Sequence, residues 1–184
     1  MSAPPTLTVA PDSLIVLVGA AGSGKSTLAA RLFTSDQVLS SDAFRAAVAG
    51  DPADQTATTR AFHRLHDQLD VRLAAGRLTV VDATSVERWA RARLLAVARR
   101  HRRPTVAVVL AVPLETALAQ NAGRPDRLVP PSVIGRQDRA LRASLATLPE
   151  EGFDQVLVLT KPGAVATAQI RAQRNAPKEQ HPVI

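Results

Sequence analysis

The sequence predicts an α/β domain with a mainly parallel five-stranded sheet and helices on both faces. Five short apolar runs rich in Val, Leu and Ile alternate with longer segments that show helical periodicity. A glycine-rich loop connects the first run, residues 14–18, to a helical segment. At 184 residues without an internal repeat, the chain has the length of one domain with a sizeable core.

The predicted elements follow from apolar periodicity along the chain. In one long helical segment, Phe62, Leu65, Leu69 and Leu73 recur at steps of three and four residues, which predicts a buried helix face. The predicted strands are residues 14–18, 37–40, 78–82, 106–112 and 155–159. The predicted helices are residues 28–33, 42–48, 56–75, 86–100, 113–121 and 133–148, with a last helix around Val165 and Ile170.

The two ends of the chain differ in composition from its middle. Residues 1–12 are polar and Pro-rich, and we expect a loose lead-in. Residues 13–174 contain every predicted strand and helix, so they are expected to form the folded domain. Residues 175–184 are polar and contain proline, which predicts a tail.

Composition narrows the class of protein. The formal net charge is +7, carried mostly by arginine, which favours a polyanionic partner but also fits a bias toward Ala and Arg with solvated helix faces. Aromatic residues make up 3% of the chain, so no stacking platform for single strands is evident. Cysteine is absent, which excludes disulfides and Cys-ligated metals. Without a signal peptide pattern or a bilayer-length apolar run, we expect no membrane role and a cytoplasmic location.

The glycine-rich loop matches the phosphate-binding pattern G-x-x-x-x-G-K-[ST] and lies between a predicted strand and a predicted helix. Glycines allow a tight turn in which backbone N–H groups and the helix N-terminus face phosphate oxygens. We expect Lys25 to bind the β- and γ-phosphates of ATP and the Ser26 hydroxyl to bind Mg²⁺. The predicted nucleotide-binding residues are Gly19, Ala20, Ala21, Gly22, Ser23, Gly24, Lys25, Ser26 and Thr27.

Two acidic residues end predicted strands, where parallel α/β sheets bind ligands. Asp82 follows the apolar run 78–81 in the manner of a Walker B aspartate, so it is a second candidate ligand for Mg²⁺; the alternative is a helix-capping acid. Asp42 follows run 37–40 and is the candidate general base, although Ser41 or Asp42 also fits a helix cap. Arg45 lies one helical turn after Asp42 and is a candidate for the substrate's side of the site.

Arginines also mark the segment 123–131, which is interrupted by prolines and lies between two predicted helices. Arg124 and Arg127 are expected to act from a lid on the transferred phosphate, with a basic surface turn as the alternative. The many arginines of helix 86–100 and its exit are interpreted mainly as a solvated face. His63 and His66 lack further ligands at metal spacing, which indicates packing or surface positions.

The ordered set of motifs resembles the kinase domain of bacterial polynucleotide kinase-phosphatases, which are RNA-repair enzymes. The resemblance covers residues 14–159 and implies a P-loop kinase fold with an arginine-containing lid, in which residues 13–174 are the kinase domain. GTPase base-reading and switch motifs are absent, and the chain is short for an oligomeric mechanical ATPase. The resemblance is carried by Val18–Thr27, Ser40–Asp42, Asp54–Thr56, Gly76–Thr84 and Arg124–Arg127.

The resemblance implies transfer of the ATP γ-phosphate to the 5′-hydroxyl of RNA or DNA. By resemblance Asp42 is the general base, Arg45 faces the acceptor's phosphate, and Arg124 and Arg127 act on the transferring phosphate. Two positions depart from the family, because Gln120 replaces a common lid arginine and Ser85 replaces an asparagine. The phosphatase and ligase modules usually fused downstream do not follow, so separate repair enzymes are expected as partners.

Two other functions stay open at this stage. A small-molecule phosphotransferase on the same scaffold would act on an alcohol, nucleoside or antibiotic, and a closed apolar pocket would favour it over a basic groove leading to Asp42. A nucleotide-binding regulator would bind ATP without transfer to an acceptor, and Asp42→Asn would leave it unchanged. The sequence does not distinguish RNA from DNA and does not give an oligomeric state.

Overall fold

The computed structural model of the protein describes residues 3–48, 55–124 and 128–173. Its strands are β1 (Thr6–Val9), β2 (Leu14–Val18), β3 (Val38–Ser40), β4 (Thr79–Asp82), β5 (Thr105–Leu110), β6 (Gln155–Leu159) and β7 (Gln169–Ala172). Its α-helices are α1 (Lys25–Leu32), α2 (Ser41–Val48), α3 (Gln55–Ala74), α4 (Arg88–Arg100), α5 (Leu114–Ala122), α6 (Pro131–Ser144) and α7 (Pro162–Thr167). Ser35–Gln37 and Leu148–Glu151 form short 3₁₀ helices.

The main sheet has five strands in the order β3-β4-β2-β5-β6, and every neighbouring pair is parallel. This confirms the predicted α/β fold. Strand β2 lies at the centre of the sheet, and all five of its residues are buried. Burial on both faces explains why this strand is a continuous apolar run and not an alternating one.

Helices cover both faces of the sheet. Leu14, Val16 and Val18 of β2 belong to a core cluster that contains the apolar faces of α3, α4 and α6. Ile15 and Leu17 point the other way and belong to a cluster with α1 and α7. Because successive strand side chains alternate between faces, one strand contributes to both cores. The carboxyl ends of β2, β3 and β4 therefore meet at one edge between two packed layers.

A second, two-stranded sheet corrects two predictions at the ends of the domain. Residues 6–9 are not a loose lead-in, since they form β1, which pairs in parallel with β7 in the register Thr6↔Gln169. Ile170 lies in β7 and not in a last helix, because α7 ends at Thr167. Each segment is only four residues long. Neither one carries a strong strand signal without its distant partner.

Two side chains differ in burial from the prediction. Leu65, Leu69 and Leu73 are buried as predicted, but Phe62 is 38% exposed and lines a cleft beside α3. The arginines of helix 86–100 were predicted to be mainly solvated, and Arg91 is an exception, because its relative exposure is 0%. The guanidinium of Arg91 donates two hydrogen bonds to the Glu151 carboxylate, at 2.7 and 2.5 Å. Charged side chains are rarely buried completely, and Arg91 can be buried because its charge is paired with the Glu151 carboxylate.

Several helix boundaries differ from the predicted ones by a few residues. Helix α4 begins at Arg88 and α6 ends at Ser144, so both are shorter than their apolar patterns suggested. Pro113 precedes α5 as its N-cap residue and is not its first helical residue. No helix among the described residues is long and apolar enough to cross a membrane.

Candidate active site

The phosphate-binding loop connects the carboxyl end of β2 to the first residue of α1, Lys25. Gly22 and Gly24 adopt positive φ angles of 77° and 95°, which favour glycine over other residues. A Cβ atom on Gly22 would also collide with the backbone carbonyl of Ala117 in α5. The glycine pattern is therefore required both by the turn and by the close approach of α5.

Neighbouring elements hold this loop through its backbone amides. The Gly19 N–H donates to the carbonyl of Thr84 at 2.9 Å, which connects the loop to the segment after β4. The Ala21 N–H donates to Oε1 of Gln137 at 2.8 Å, which connects it to α6. Both contacts fix the loop in the absence of a ligand. Sequence reasoning missed Gln137, since a glutamine within a helical pattern carries no local sign of such a contact.

The Lys25 ammonium is turned toward the loop. Its Nζ donates to the carbonyls of Gly19 and Ala20 at 2.8 and 2.7 Å, and to the Ser23 hydroxyl at 3.4 Å. Burial lowers the pKa of Lys25 to about 8; the Asp82 carboxylate opposes this shift, the Arg124 guanidinium adds to it and Asp42 opposes it. These effects are consistent with the strand order, since β2, β4 and β3 are parallel neighbours whose carboxyl ends lead to Lys25, Asp82 and Asp42.

Asp82 and Ser26 are placed as the sequence predicted. Asp82 is the last residue of β4, lies beside Leu17 of β2 in the parallel ladder, and is 8% exposed. It does not cap a helix, because α4 begins only at Arg88. Ser26 lies in the first turn of α1 and is exposed. One hydroxyl and one carboxylate next to a phosphate cradle fit Mg²⁺, which keeps several waters and binds through phosphates.

No group of three or more His, Asp or Glu side chains with metal-binding geometry occurs among the described residues. His63 and His66 lie on α3, three residues apart.

Asp42 and Arg45 lie on α2, directly after β3, and form an ion pair. The side chain of Asp42 is half-exposed, and that of Arg45 is about one-third exposed. Ser40 Oγ accepts a hydrogen bond from the Ala43 N–H at 3.4 Å, so Ser40 serves as the cap at the start of α2. Ser40, and not Asp42, is therefore the N-cap residue of α2.

The arginine-containing segment leaves α5 at Gly123 and returns to α6 at Pro131. Its two ends are fastened together, because the buried Asn121 side chain donates to the Val129 carbonyl at 2.9 Å and accepts from the Val129 N–H at 3.1 Å. Arg124 lies just inside this closure. Arg127 falls outside the described residues, so its lid role stays a prediction.

The fold and the phosphate loop define a P-loop protein with a kinase-like α/β domain. The sequence profile of the family described as an AAA domain matches residues 14–148, and the chain belongs to that family. No functionally curated protein matches the chain.

Solved structures with the same fold include several kinases. The Pnkp1/Rnl/Hen1 RNA repair complex matches with a TM-score of 0.64 and 21% identity, over 80% of this chain and 47% of the other, so this chain spans about half of that one. A sugar kinase from Janibacter sp. HTCC2649 matches with a TM-score of 0.53 and 21% identity, over 80% and 84%. The AvrRxo1-ORF1:ORF2 complex with ATP matches with a TM-score of 0.60 and 17% identity, over 77% and 50%. These similarities establish the fold.

Proposed function

We propose that the protein is an ATP- and Mg²⁺-dependent kinase that phosphorylates the 5′-hydroxyl end of RNA or DNA. The observation that carries this proposal is that Lys25, Asp42 and Asp82 lie at or just beyond the carboxyl ends of the parallel strands β2, β3 and β4, which are neighbours in the sheet. This arrangement supports a phosphate-loop cation, a candidate base and a candidate metal ligand at one edge of the sheet. The motif order shared with polynucleotide kinases supports the choice of acceptor.

On the nucleotide side, the loop amides of Gly19–Gly24 and the N-terminus of α1 would bind the phosphates of ATP. Lys25 would move from the loop carbonyls to the β- and γ-phosphates. Ser26 and Asp82 would hold Mg²⁺, directly or through water. When bound, Mg²⁺ supplies positive charge against the β- and γ-phosphates as the phosphoryl group is transferred.

On the acceptor side, Asp42 would accept the proton of the 5′-hydroxyl as its oxygen bonds to the γ-phosphorus. The bond from that phosphorus to the β,γ-bridging oxygen breaks in line, and ADP leaves. Arg45 keeps the Asp42 carboxylate in position through their ion pair and would face the acceptor's phosphate. Arg124 and Arg127 would stabilise the charge on the transferring group.

The experiment uses ATP labelled at the γ-phosphate, Mg²⁺, and RNA and DNA oligonucleotides with a 5′-hydroxyl. We expect label at the 5′ end, strongly reduced by Asp42→Asn and Lys25→Met. Glu150 is an exposed carboxylate outside the site, so Glu150→Gln is the matched control and should retain full transfer. Absence of label on every oligonucleotide, with ATP binding intact, would overturn the polynucleotide assignment.

A second candidate function is phosphorylation of a small hydroxyl-bearing molecule. It is favoured by a largely apolar cleft between α3 and α4, and the similarity to a sugar kinase fits the same reaction type. The same assay with nucleosides and sugars in place of oligonucleotides tests it. Label on a small molecule alone would select this candidate. Nucleotide binding without transfer to any hydroxyl would instead indicate a regulatory module.

The proposal also includes repair enzymes as partners of the kinase. A 5′-kinase prepares an end that a joining activity must then use, so we include repair enzymes among the proposed partners. The similarity in fold to a chain of an RNA repair complex motivates this inclusion.

A further inference from the structure

A cleft of about 930 Å³ lies between α3 and α4, on one face of the main sheet. Its floor is formed by Val81 of β4 and by Ala83 just beyond that strand. Large apolar side chains stand on its walls: Phe62 of α3 is 38% exposed and Trp89 of α4 is 61% exposed. Exposed apolar side chains that line the same cleft form the kind of patch that marks ligand-binding grooves.

The two helices are joined at the end of the cleft that lies away from the carboxyl edge of the sheet. Asp70 of α3 accepts hydrogen bonds from Arg100 at 2.8 Å and pairs with His101 at 2.9 Å, just after α4. Phe62 in the first half of α3 and Trp89 in the first turn of α4 both line the cleft. The cleft is therefore closed at one end by polar contacts and lined by aromatic side chains toward the other.

The wall of the cleft is connected to the phosphate loop by one hydrogen bond. Ala83, Thr84 and Ser85 line the cleft, and they directly follow the candidate metal ligand Asp82. The Thr84 carbonyl accepts the N–H of Gly19 at 2.9 Å. The segment after β4 thus belongs both to the cleft wall and to the surroundings of the loop, which places the cleft beside the region where phosphoryl transfer is proposed.

The charges of the cleft differ from those of the whole protein. The protein carries a net charge of +7, but the cleft is lined by three carboxylates and two guanidinium groups. Burial lowers the pKa of His66 below its ordinary value, and nearby Arg93 and His63 add to this, so His66 is a neutral hydrogen-bonding group there. A phosphate backbone would find no excess of positive charge in the cleft. An uncharged ring would find apolar walls and neutral polar groups.

We propose that the α3–α4 cleft binds a heteroaromatic ring of the acceptor, stacked on Trp89. This inference rests on the proposed kinase function and assigns the acceptor's ring to a site separate from Asp42 and Arg45. The guanidinium of Arg93 lies 5.6 Å from the centre of the Trp89 ring and holds that side chain from one side. The ring has two chemical sources, the terminal base of a polynucleotide or a free nucleoside, and the same stacking serves both.

Trp89 is itself the probe for the test. The chain has one tryptophan and no tyrosine, so its intrinsic fluorescence reports on this cleft. The protein is first saturated with Mg²⁺ and a non-hydrolysable ATP analogue, which fills the donor site. It is then titrated with nucleosides, with 5′-hydroxyl oligonucleotides, and with oligonucleotides of equal charge whose terminal nucleotide lacks its base. We expect quenching by the first two ligands and none by the abasic oligonucleotide.

The ligand source follows from the relative affinities. Tighter binding of the oligonucleotide than of the nucleoside supports a polynucleotide end in the cleft. Equal affinities support a nucleoside acceptor. No quenching by any ring-bearing ligand, or equal quenching by the abasic oligonucleotide, overturns the proposal. If the ATP analogue alone quenches the fluorescence and blocks the nucleoside, the cleft binds the donor's ring and the proposal is also overturned.

A variant pair separates this site from the transfer chemistry. Trp89→Leu should weaken acceptor binding about tenfold or more, measured by calorimetry or as a raised KM for the acceptor, with the KM for ATP unchanged. Arg88→Ala changes an exposed neighbour that does not line the cleft and should leave both constants unchanged. Because binding is measured without turnover, loss of ring binding and loss of kinase activity are distinguishable. Unchanged acceptor affinity in a folded Trp89→Leu protein contradicts the proposal.

Discussion

Lys25 is a buried ammonium whose surroundings change when a phosphate enters the loop. Burial lowers its pKa to about 8. Bound phosphates stabilise the charged form and therefore raise that pKa. Nucleotide binding at pH values above 8 must then be accompanied by proton uptake, and affinity must fall as the pH rises through this region.

We predict proton uptake that approaches one proton per nucleotide at about pH 9 and becomes small near neutral pH. Calorimetry of an ATP analogue in two buffers of different ionisation enthalpy measures it. Lys25→Met should abolish the uptake at pH 9, and Lys161→Met, at an exposed lysine, should keep it. Equal proton uptake in the Lys25→Met protein would assign the proton to another group.

Ser85 is a residue at which the sequence departs from the polynucleotide kinases that it resembles. It has a φ of 45°, in the left-handed region that asparagine tolerates better than serine. The asparagine that those polynucleotide kinases have at this position would therefore suit the backbone conformation found here. The carbonyls of Ser85 and Val86 both accept hydrogen bonds from Arg91, at 2.9 and 2.7 Å. The buried arginine thus stabilises a turn that serine alone favours weakly.

At the scale of elements, α6 and the phosphate loop are connected by one side chain. Gln137 accepts the Ala21 N–H, and α6 is also the helix to which the arginine-containing segment returns. The position of the phosphate loop is thereby connected to α6, the helix that follows the arginine-containing segment. A loop held in place before the nucleotide arrives loses less conformational freedom on binding.

We predict that Gln137→Ala lowers affinity for ATP by roughly 2- to 10-fold, which corresponds to the loss of one ordinary hydrogen bond. Calorimetry with a non-hydrolysable ATP analogue measures the change. Gln68→Ala removes an exposed glutamine of α3 away from the loop and should have no effect. Tighter binding in Gln137→Ala would mean that Gln137 competes with phosphate for the Ala21 N–H.

The element scale also shows which parts of the fold are readable from the sequence. Strand β2 is a continuous apolar run because both of its faces are buried. All five strands of the main sheet were predicted. Strands β1 and β7 were missed, since each is short and depends on a partner far along the chain. Phe62 was misassigned because helical spacing identifies a face of α3 but does not show where a neighbouring helix leaves a cleft.

The residues of the candidate site also include some that were predictable from the sequence and some that were not. Lys25 and Asp42 follow strands and Asp82 ends one, so local sequence was sufficient to predict these positions in the fold, while their roles stay predictions. Gln137 and Arg91 act through contacts with elements distant in sequence, and for Gln137 no local pattern records such a contact. For Arg91 a signal did exist, because Leu94, Leu95 and Ala98 share its helix face and are all buried.

At the scale of the whole molecule, the Arg91–Glu151 pair connects α4, the turn after β4 and the 3₁₀ helix before β6. Both side chains are almost completely buried, at 0% and 3% exposure. Removal of one partner would leave an uncompensated charge in the interior, whereas replacement of both by apolar residues removes two desolvation costs together.

We predict that Glu151→Leu or Arg91→Met lowers the free energy of unfolding by about 3–5 kcal/mol, and that the double variant recovers most of this loss. Denaturant unfolding measures all three proteins. Arg77→Ala, which removes an exposed ion pair at 3.6 Å, should leave stability nearly unchanged. Additive losses in the double variant would show that the two side chains do not act as a pair.

The small sheet has a consequence for how the chain is made. Strand β1 is synthesised before every other strand, yet its partner β7 begins at Gln169, after the whole main sheet. On the ribosome β1 must therefore wait without its hydrogen-bonding partner while the remaining strands emerge and pair. The first strand to be made is the last to be completed. Any extension attached before Thr6 is thus carried on a segment that joins the native structure at the end of folding.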